Sequence, residues 1–293
     1  MKTLTKENLA AFRQHLICTE KSPQTIQKYL RDMEKFRGFA ENQPLTKELL
    51  VRYKEWLEQE GRYKTSSINS YLAAVNHFFG FMGWNDLRVK MLRVQREAFL
   101  PENREMTQEE YTRLIRTARA QSREKLACLI QTMGSTGIRI SELKYITVES
   151  LKEGMAEIHN KGKVRRILYP GELSKLLKKY VEQEQIRTGV IFRSRSGKPL
   201  DRSNIWRMLK QICKAAKVEE TKVYPHSLRH LFARCFYKLK KDIARLADVL
   251  GHSSIETTRI YIKSTGRDHR RYLDSLGLVL REPGEPDQKK RRL

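Results

Sequence analysis

The sequence predicts a mainly α fold with a small antiparallel β-sheet, built as a helical N-terminal bundle followed by a mixed α/β domain. Three observations predict it. Apolar residues recur at helical spacing behind recognisable N-caps through the first hundred positions. A single later stretch, YITVESLKEGMAEIHNKGKVRRILYP, alternates β-branched residues with turn residues. Between the two, LPENREM is polar, contains Pro101 and carries no period, which marks a boundary. The expected division is a bundle over residues 1–98, a linker over 99–104, a second domain over 105–277 and a tail over 278–293.

The elements follow in order. MKTLTKENLAAFRQHL is amphipathic and interrupted by charge, a surface helix rather than a secretion signal. Ser22 as N-cap and Pro23 at the first helical position open a helix whose Ile26, Tyr29, Leu30, Met33 and Phe36 share a face. Thr46 opens KELLVRYKEWLEQE, and Gly61 stops it. The segment from Thr65 through INSYLAAVNHFFGFMG is more apolar and is expected to be the inner helix of the bundle. Thr107 and Glu110 form a capping box that starts the second domain. The β insertion runs from Val148 through turns at Lys152-Glu153-Gly154 and Asn160-Lys161-Gly162 to Val164, Ile167 and Leu168, giving a three-stranded sheet or a long hairpin. Helices resume at ELSKLLKKYVEQE, SNIWRMLKQICKAAK, HSLRHLFARCFYKLK, DIARLADVLGH and ETTRIYIK. The Pro- and charge-rich end, LVLREPGEPDQKKRRL, is expected to fray.

Charge narrows the function. Of 293 residues, 59 are Lys or Arg and 34 are Asp or Glu, a net charge of +25 that points to a polyanionic partner, nucleic acid first. Both parts share the excess: residues 1–100 carry +6 and residues 101–293 carry +19. No stretch reaches the ~18 consecutive apolar residues of a membrane span. Cys18, Cys128, Cys213 and Cys235 lie far apart and read as reduced thiols of a cytoplasmic protein, not as a disulfide frame or zinc site. No Gly-rich nucleotide loop of the Gly-x4-Gly-Lys-Ser/Thr type and no His-Glu-x-x-His motif is present, so no metal and no nucleotide cofactor is expected.

Four segments present polar groups at turns or helix starts. In Thr136-Gly137-Ile138-Arg139-Ile140-Ser141-Glu142, Gly137 breaks a helix and Arg139 enters the next, where its fork can meet a phosphate and Glu142 can orient it. An ordinary i,i+3 ion pair explains the same spacing. Lys161 sits at the hairpin tip, where a lysine is usually solvated but can also deliver a proton to a leaving oxygen. In His226-Ser227-Leu228-Arg229-His230, His226 and Arg229 share a helical face. A metal reading of His226 with His230 lacks an intervening glutamate and a third ligand. The fourth segment, LGHSSIETTRIYI, has Gly251 ending a helix, Ser253 and Glu256 capping the next, and Tyr261 two turns into it. Taken alone, that tyrosine reads as core. Together, two arginines, a lysine, two histidines and a tyrosine suit metal-free phosphoryl transfer to a protein hydroxyl.

The order TGIRISEL, the hairpin Lys161, HSLRH and LGHSSIETTRIYI resembles the tyrosine recombinases, or phage-integrase family, with their Xer-type members. SPQTIQKYLRDMEKF resembles the family's helical core-binding domain, so the likeness spans nearly the whole chain. The resemblance implies a SAM-like core-binding domain over 1–98 and a tyrosine-recombinase catalytic domain over 105–277. It implies a site-specific recombinase that cuts and rejoins duplex DNA through a 3′-phosphotyrosyl bond. The implied roles are Arg139 and Arg229 on the scissile phosphate, Tyr261 as nucleophile and Lys161 as general acid. His226 would assist proton transfer, His252 would hydrogen-bond a phosphate oxygen, and Glu142 would support the arginines. The run Lys163-Val164-Arg165-Arg166-Ile167-Leu168-Tyr169-Pro170 stands one residue out of step with the family pattern, so Lys163 competes with Lys161. The family further implies a clamp on DNA, a homotetramer at synapsis with the segment after about Leu273 docking on a neighbour, and work at the nucleoid. A tyrosyl phosphodiester conserves the energy of the broken bond, and this agrees with the missing nucleotide motif. The alternatives are a type IB topoisomerase-like relaxing enzyme and a non-catalytic DNA-binding protein on the same fold.

Overall fold

The computed structural model describes residues 2–41, 43–59, 61, 63–94, 105–160, 163–261, 270 and 273–276. The chain divides into two compact units, Met1–Arg96 and Glu97–Leu293. The expected linker 99–104, the hairpin-tip Lys161 and the tail 278–293 lie outside the described residues.

Among the described residues, the first unit has four α-helices and a 3₁₀ turn at Asn85–Leu87. α1 (Lys6–Cys18) starts at Thr5, whose hydroxyl accepts the Asn8 N–H while the Asn8 side chain accepts the Thr5 N–H. α2 (Pro23–Ala40) has Ser22 as N-cap and proline in its first turn, as the sequence indicates. In α3 (Lys47–Gln59), the Thr46 hydroxyl accepts the Leu49 N–H at 3.2 Å. α4 (Thr65–Phe81) is the inner helix, burying Leu72, Val75, Phe78 and Phe79. Phe12 meets Phe78 edge to face at 5.3 Å in the middle of this core. The chain then returns along α4. Asn76 donates to the Val89 carbonyl at 2.8 Å and accepts the Val89 N–H at 2.9 Å. Asn69 makes the same pair of bonds with Leu92, each at 2.8 Å.

The second unit opens with α5 (Gln108–Ala120), where Thr107 and Glu110 form the expected capping box. α6 (Glu124–Thr136) runs through the core and buries Leu126, Leu129, Ile130 and Met133. A 3₁₀ turn (Ile140–Tyr145) leads to α7 (Val148–Glu153). Val148 was expected in a strand and instead begins a helix. Thr147 accepts the Ser150 N–H while the Ser150 hydroxyl accepts the Thr147 N–H, and this cap outweighs the local β propensity. β1 (Met155–Asn160) and β2 (Lys163–Leu168) pair antiparallel, Met155 opposite Leu168 and Asn160 opposite Lys163. The sheet is therefore a two-stranded hairpin rather than three strands. α8 (Gly171–Gln183), α9 (Arg202–Cys213), α10 (Pro225–Lys240), α11 (Ile243–Leu250) and α12 (Ile255–Arg259) follow in order. Ala233, Leu246 and Leu250 form a small separate core where α10 meets α11, with Tyr261 packed against it.

Candidate active site

Three chain breaks bring the site together. α6 ends at Gly137, which adopts φ +63°, and a Cβ there would lie 2.5 Å from Phe232. Glycine is thus required both by the backbone and by the neighbour. The chain turns at once into Arg139, which precedes the 3₁₀ turn. The Arg139 N–H donates to Glu142 Oε2 and its Nη1 to Glu142 Oε1, both at 2.9 Å. Pro225 starts α10 and places Arg229 one turn in, 1% exposed. α11 ends at Gly251, also left-handed at φ +64°, and His252 follows.

The C-terminal carbonyls of α11 collect three guanidiniums. Arg229 Nη2 donates to the Leu250 carbonyl at 2.7 Å, Arg139 Nη2 to Gly251 at 3.4 Å and Arg165 Nη1 to Val249 at 3.2 Å. Arg165 Nη1 also donates to the Leu250 carbonyl, and Arg229 Nη1 donates to the Gly137 carbonyl. Cations at a helix C-terminus offset its partial negative charge. Glu142, 3% exposed, takes a further bond from Arg165 Nη2 and so sits between Arg139 and Arg165. Burial alone would raise its pKa. The Arg139 N–H and the two guanidiniums overcome that and hold it below the usual carboxylate range.

Arg229 keeps one donor in reserve: its Nε is buried with no hydrogen-bond partner among the described residues. Burial, then the charge of Arg139, pushes its pKa down to about 10, so it is still a cation at neutral pH. His252 lies between Arg229 and α12, its Nε2 2.8 Å from Arg229 Nη2 and its Nδ1 2.9 Å from Thr258 Oγ1. Burial and the nearby Arg229, Arg139 and Arg165 bring its pKa to about 4. Tyr261 stacks on His252 at 5.3 Å and packs against His230 at 4.4 Å, with the Arg229 guanidinium carbon 5.9 Å from its ring centre. The His230 pKa also falls to about 4, first by burial and then by His226, Arg234 and Arg229. His226 is exposed at the start of α10 and shares a narrow cleft with Arg139 and Arg229. Its pKa is lowered by burial of part of the ring and by Arg229, Arg202 and Arg139.

Six of the seven predicted residues are thus described, and Arg139, Glu142, His226, Arg229, His252 and Tyr261 gather in one region. Two local details differ from expectation. The cap of α12 is Ser254 rather than Ser253, its hydroxyl accepting the Glu256 N–H at 3.2 Å. Tyr261 does not lie two turns into a helix: α12 stops at Arg259, and the Tyr261 N–H closes a turn on the Thr258 carbonyl at 2.9 Å. Sequence reasoning missed Arg165, which reaches Glu142 and the end of α11, and Thr258, which holds His252. Arg165 stands in the basic run after the hairpin turn, but nothing in that run says which arginine turns inward. Gly251 has a further reason to be glycine, since a Cβ there would lie 2.4 Å from Arg165 Cδ. Among the described residues, no three His, Cys, Asp or Glu side chains are grouped as metal ligands. No described helix is long and apolar enough to cross a membrane.

The basic cluster, with a spare buried donor and a tyrosine beside it, suits an oxyanion such as a phosphate. Comparison with known proteins gives the same direction. Residues 104–267 match the phage integrase family, and residues 9–85 match the phage integrase N-terminal SAM-like domain. Tyrosine recombinase XerA of Pyrococcus furiosus is 29% identical over 288 residues, covering 95% of this chain and 96% of that protein. A lambda integrase (75–356) dimer bound to a COC′ core site has the same fold, with TM-score 0.73, 18% identity and coverage of 91% of this chain and 97% of that one. A lambda integrase tetramer bound to a Holliday junction does too, with TM-score 0.70, 16% identity and coverage of 98% and 81%. The family match spans more than half of the sequence and includes every residue of the cluster, and the chain belongs to the phage integrase family as a tyrosine recombinase of the Xer type, a site-specific DNA recombinase.

Proposed function

We propose that the chain cuts and rejoins duplex DNA through a 3′-phosphotyrosyl intermediate on Tyr261, with no metal and no nucleotide cofactor. The observation that carries the reading is the placement of Arg229 and His252 beside Tyr261, with Arg139 donating to the same end of α11 and Arg229 Nε buried without a partner among the described residues. In this reading Arg139 and Arg229 neutralise the scissile phosphate, and Glu142 aligns Arg139. His252 hydrogen-bonds a non-bridging oxygen. The Tyr261 oxygen attacks phosphorus while the bond to the 5′-oxygen breaks, and His226 assists removal of the tyrosine proton. The leaving 5′-oxygen takes a proton from Lys161, or from Lys163 as the competing donor. Religation reverses the step with a 5′-hydroxyl of the partner strand, so the energy of the broken bond is conserved and no ATP is consumed.

The assembly is read in the same way. Residues 1–98 would serve as the core-binding domain and 105–277 as the catalytic domain, and both carry the positive charge that a duplex requires. A tetramer would join two sites; lambda integrase, of the same fold, is a tetramer when bound to a Holliday junction. The place of action is the cytoplasm, at the nucleoid. The test is Tyr261→Phe on a nicked suicide substrate. No covalent protein–DNA complex should form, while affinity for the site stays within several-fold because phosphate contacts dominate binding. A covalent complex formed by the Phe variant removes Tyr261 from the role.

A further inference from the structure

We propose that Thr258 is a positioning residue for strand cleavage: its hydroxyl accepts the Nδ1 proton of the His252 tautomer that Arg229 selects in the free protein, and reverses that hydrogen bond when His252 turns to a phosphate. The catalytic half of this inference rests on the phosphotyrosyl reading above; the tautomer half does not.

Thr258 is fully buried, and its Oγ1 lies 2.9 Å from His252 Nδ1. On the far side of the ring, Nε2 is 2.8 Å from Arg229 Nη2. A guanidinium only donates, so Nε2 must carry the lone pair. The neutral ring then has its proton on Nδ1 and donates it to the Thr258 hydroxyl. The His252 pKa of about 4 keeps the ring neutral at neutral pH.

A phosphate oxygen poses the opposite demand. It only accepts, so Nε2 must donate to it. The ring gives its Nδ1 proton to water and takes one from water at Nε2, so it stays neutral overall, and Nδ1 then needs a donor. A carbonyl or carboxylate at this point would hold the wrong tautomer, and an amide N–H would forbid the free state. A hydroxyl serves both, because it accepts in one state and donates in the other. The Thr258 carbonyl also takes the Tyr261 N–H at 2.9 Å, so one residue supports both the histidine and the turn that carries the nucleophile.

The test uses the full chain in single-turnover cleavage of a nicked suicide substrate, with Thr258→Val, Thr258→Ser and each of them combined with His252→Ala. Val keeps the shape and removes the hydroxyl. It should slow cleavage about tenfold, equivalent to ~1.4 kcal/mol, with DNA affinity unchanged. Ser should restore the rate to within about threefold of the parent. In the His252→Ala background, Val should add less than about twofold, because the partner it acts through is gone. Nitrogen-15 NMR of the free protein should show the His252 proton on Nδ1 in the parent and also in Thr258→Val, because Arg229 keeps the lone pair on Nε2 in both. A Val variant as fast as the parent, a Ser variant as slow as Val, or a full tenfold loss without His252 overturns the inference. So does an Nε2–H tautomer in the free parent. If Tyr261→Phe still forms a covalent complex, the phosphotyrosyl reading fails instead, and the NMR measurement still decides the tautomer.

Discussion

Replacing Glu142 with Gln strikes the arginine cluster at its centre. The carboxylate accepts the Arg139 N–H and Nη1, and also Arg165 Nη2. Gln keeps the volume, removes the charge and turns an NH₂ group toward guanidinium donors. Removing one member of a buried ion pair costs ~3–5 kcal/mol. Water reaches part of this pair, since the Arg139 and Arg165 side chains are 30% and 16% exposed, so the low end, about 3 kcal/mol, applies. At roughly 2–4 °C per kcal/mol for a unit of this size, melting should fall by about 6–12 °C at pH 7. The sign of the pH dependence follows from the depressed pKa of the folded carboxylate. Its contribution is fully present above the unfolded value near ~4.3 and is lost as pH falls through the lower folded value. Thermal denaturation followed by circular dichroism at pH 7 and at stepwise lower pH reads both effects. A fall of less than about 2 °C at pH 7 would refute the reasoning, since the charge would then carry little of the ~3 kcal/mol.

Two further outcomes are expected. His230 and His252 have folded pKa values of about 4 against an ordinary value near 6.5, so the unfolded chain binds more protons between those limits. Stability should be intact above pH ~6.5 and fall below it by about 1.4 kcal/mol per pH unit for each histidine. Urea unfolding that gives the same free energy at pH 7 and pH 5 contradicts this. Asn76→Ala leaves the Val89 N–H and carbonyl without their buried partner and should cost roughly 2–3 kcal/mol. Hydrogen exchange at the Val89 amide should accelerate accordingly, and an unchanged exchange rate shows that the bond carries no stability.

Much of the fold was legible because its signals are local. Ser22 with Pro23, Thr46, and Thr107 with Glu110 each satisfy backbone donors within three residues, and each marks a helix start where the sequence indicates. The third strand failed for the same kind of reason: the Thr147–Ser150 cap competes with the β-branched run and wins. At the site, the ordered polar segments could be read from motif and spacing. Arg165 could not, because its partners Glu142 and Leu250 lie 23 and 85 residues away and only the folded chain brings them near. Thr258 escaped for a subtler reason. A threonine on a short helix looks like any other, and its significance lies in which ring nitrogen its hydroxyl meets. The position of Tyr261 just beyond α12 likewise depends on where that helix ends, and propensity does not fix helix ends to the residue.

The asparagine pairs on α4 act as a ruler. Asn69 and Asn76 are two helical turns apart, about 10.5 Å at 1.5 Å per residue. Their partners Leu92 and Val89 span about 10 Å of extended chain at ~3.3 Å per residue, running the opposite way. The two lengths agree, so both amides can clasp the returning chain together. Each clasp grips main-chain N–H and C=O, which every residue but proline supplies. Lys90 and Met91, exposed between the clasps, can therefore change identity without loosening either one. Adding or deleting one residue between Val89 and Leu92 shifts the spacing by about 3.3 Å and leaves one asparagine facing the wrong peptide. This stretch is constrained in its count of residues and nearly free in their kind.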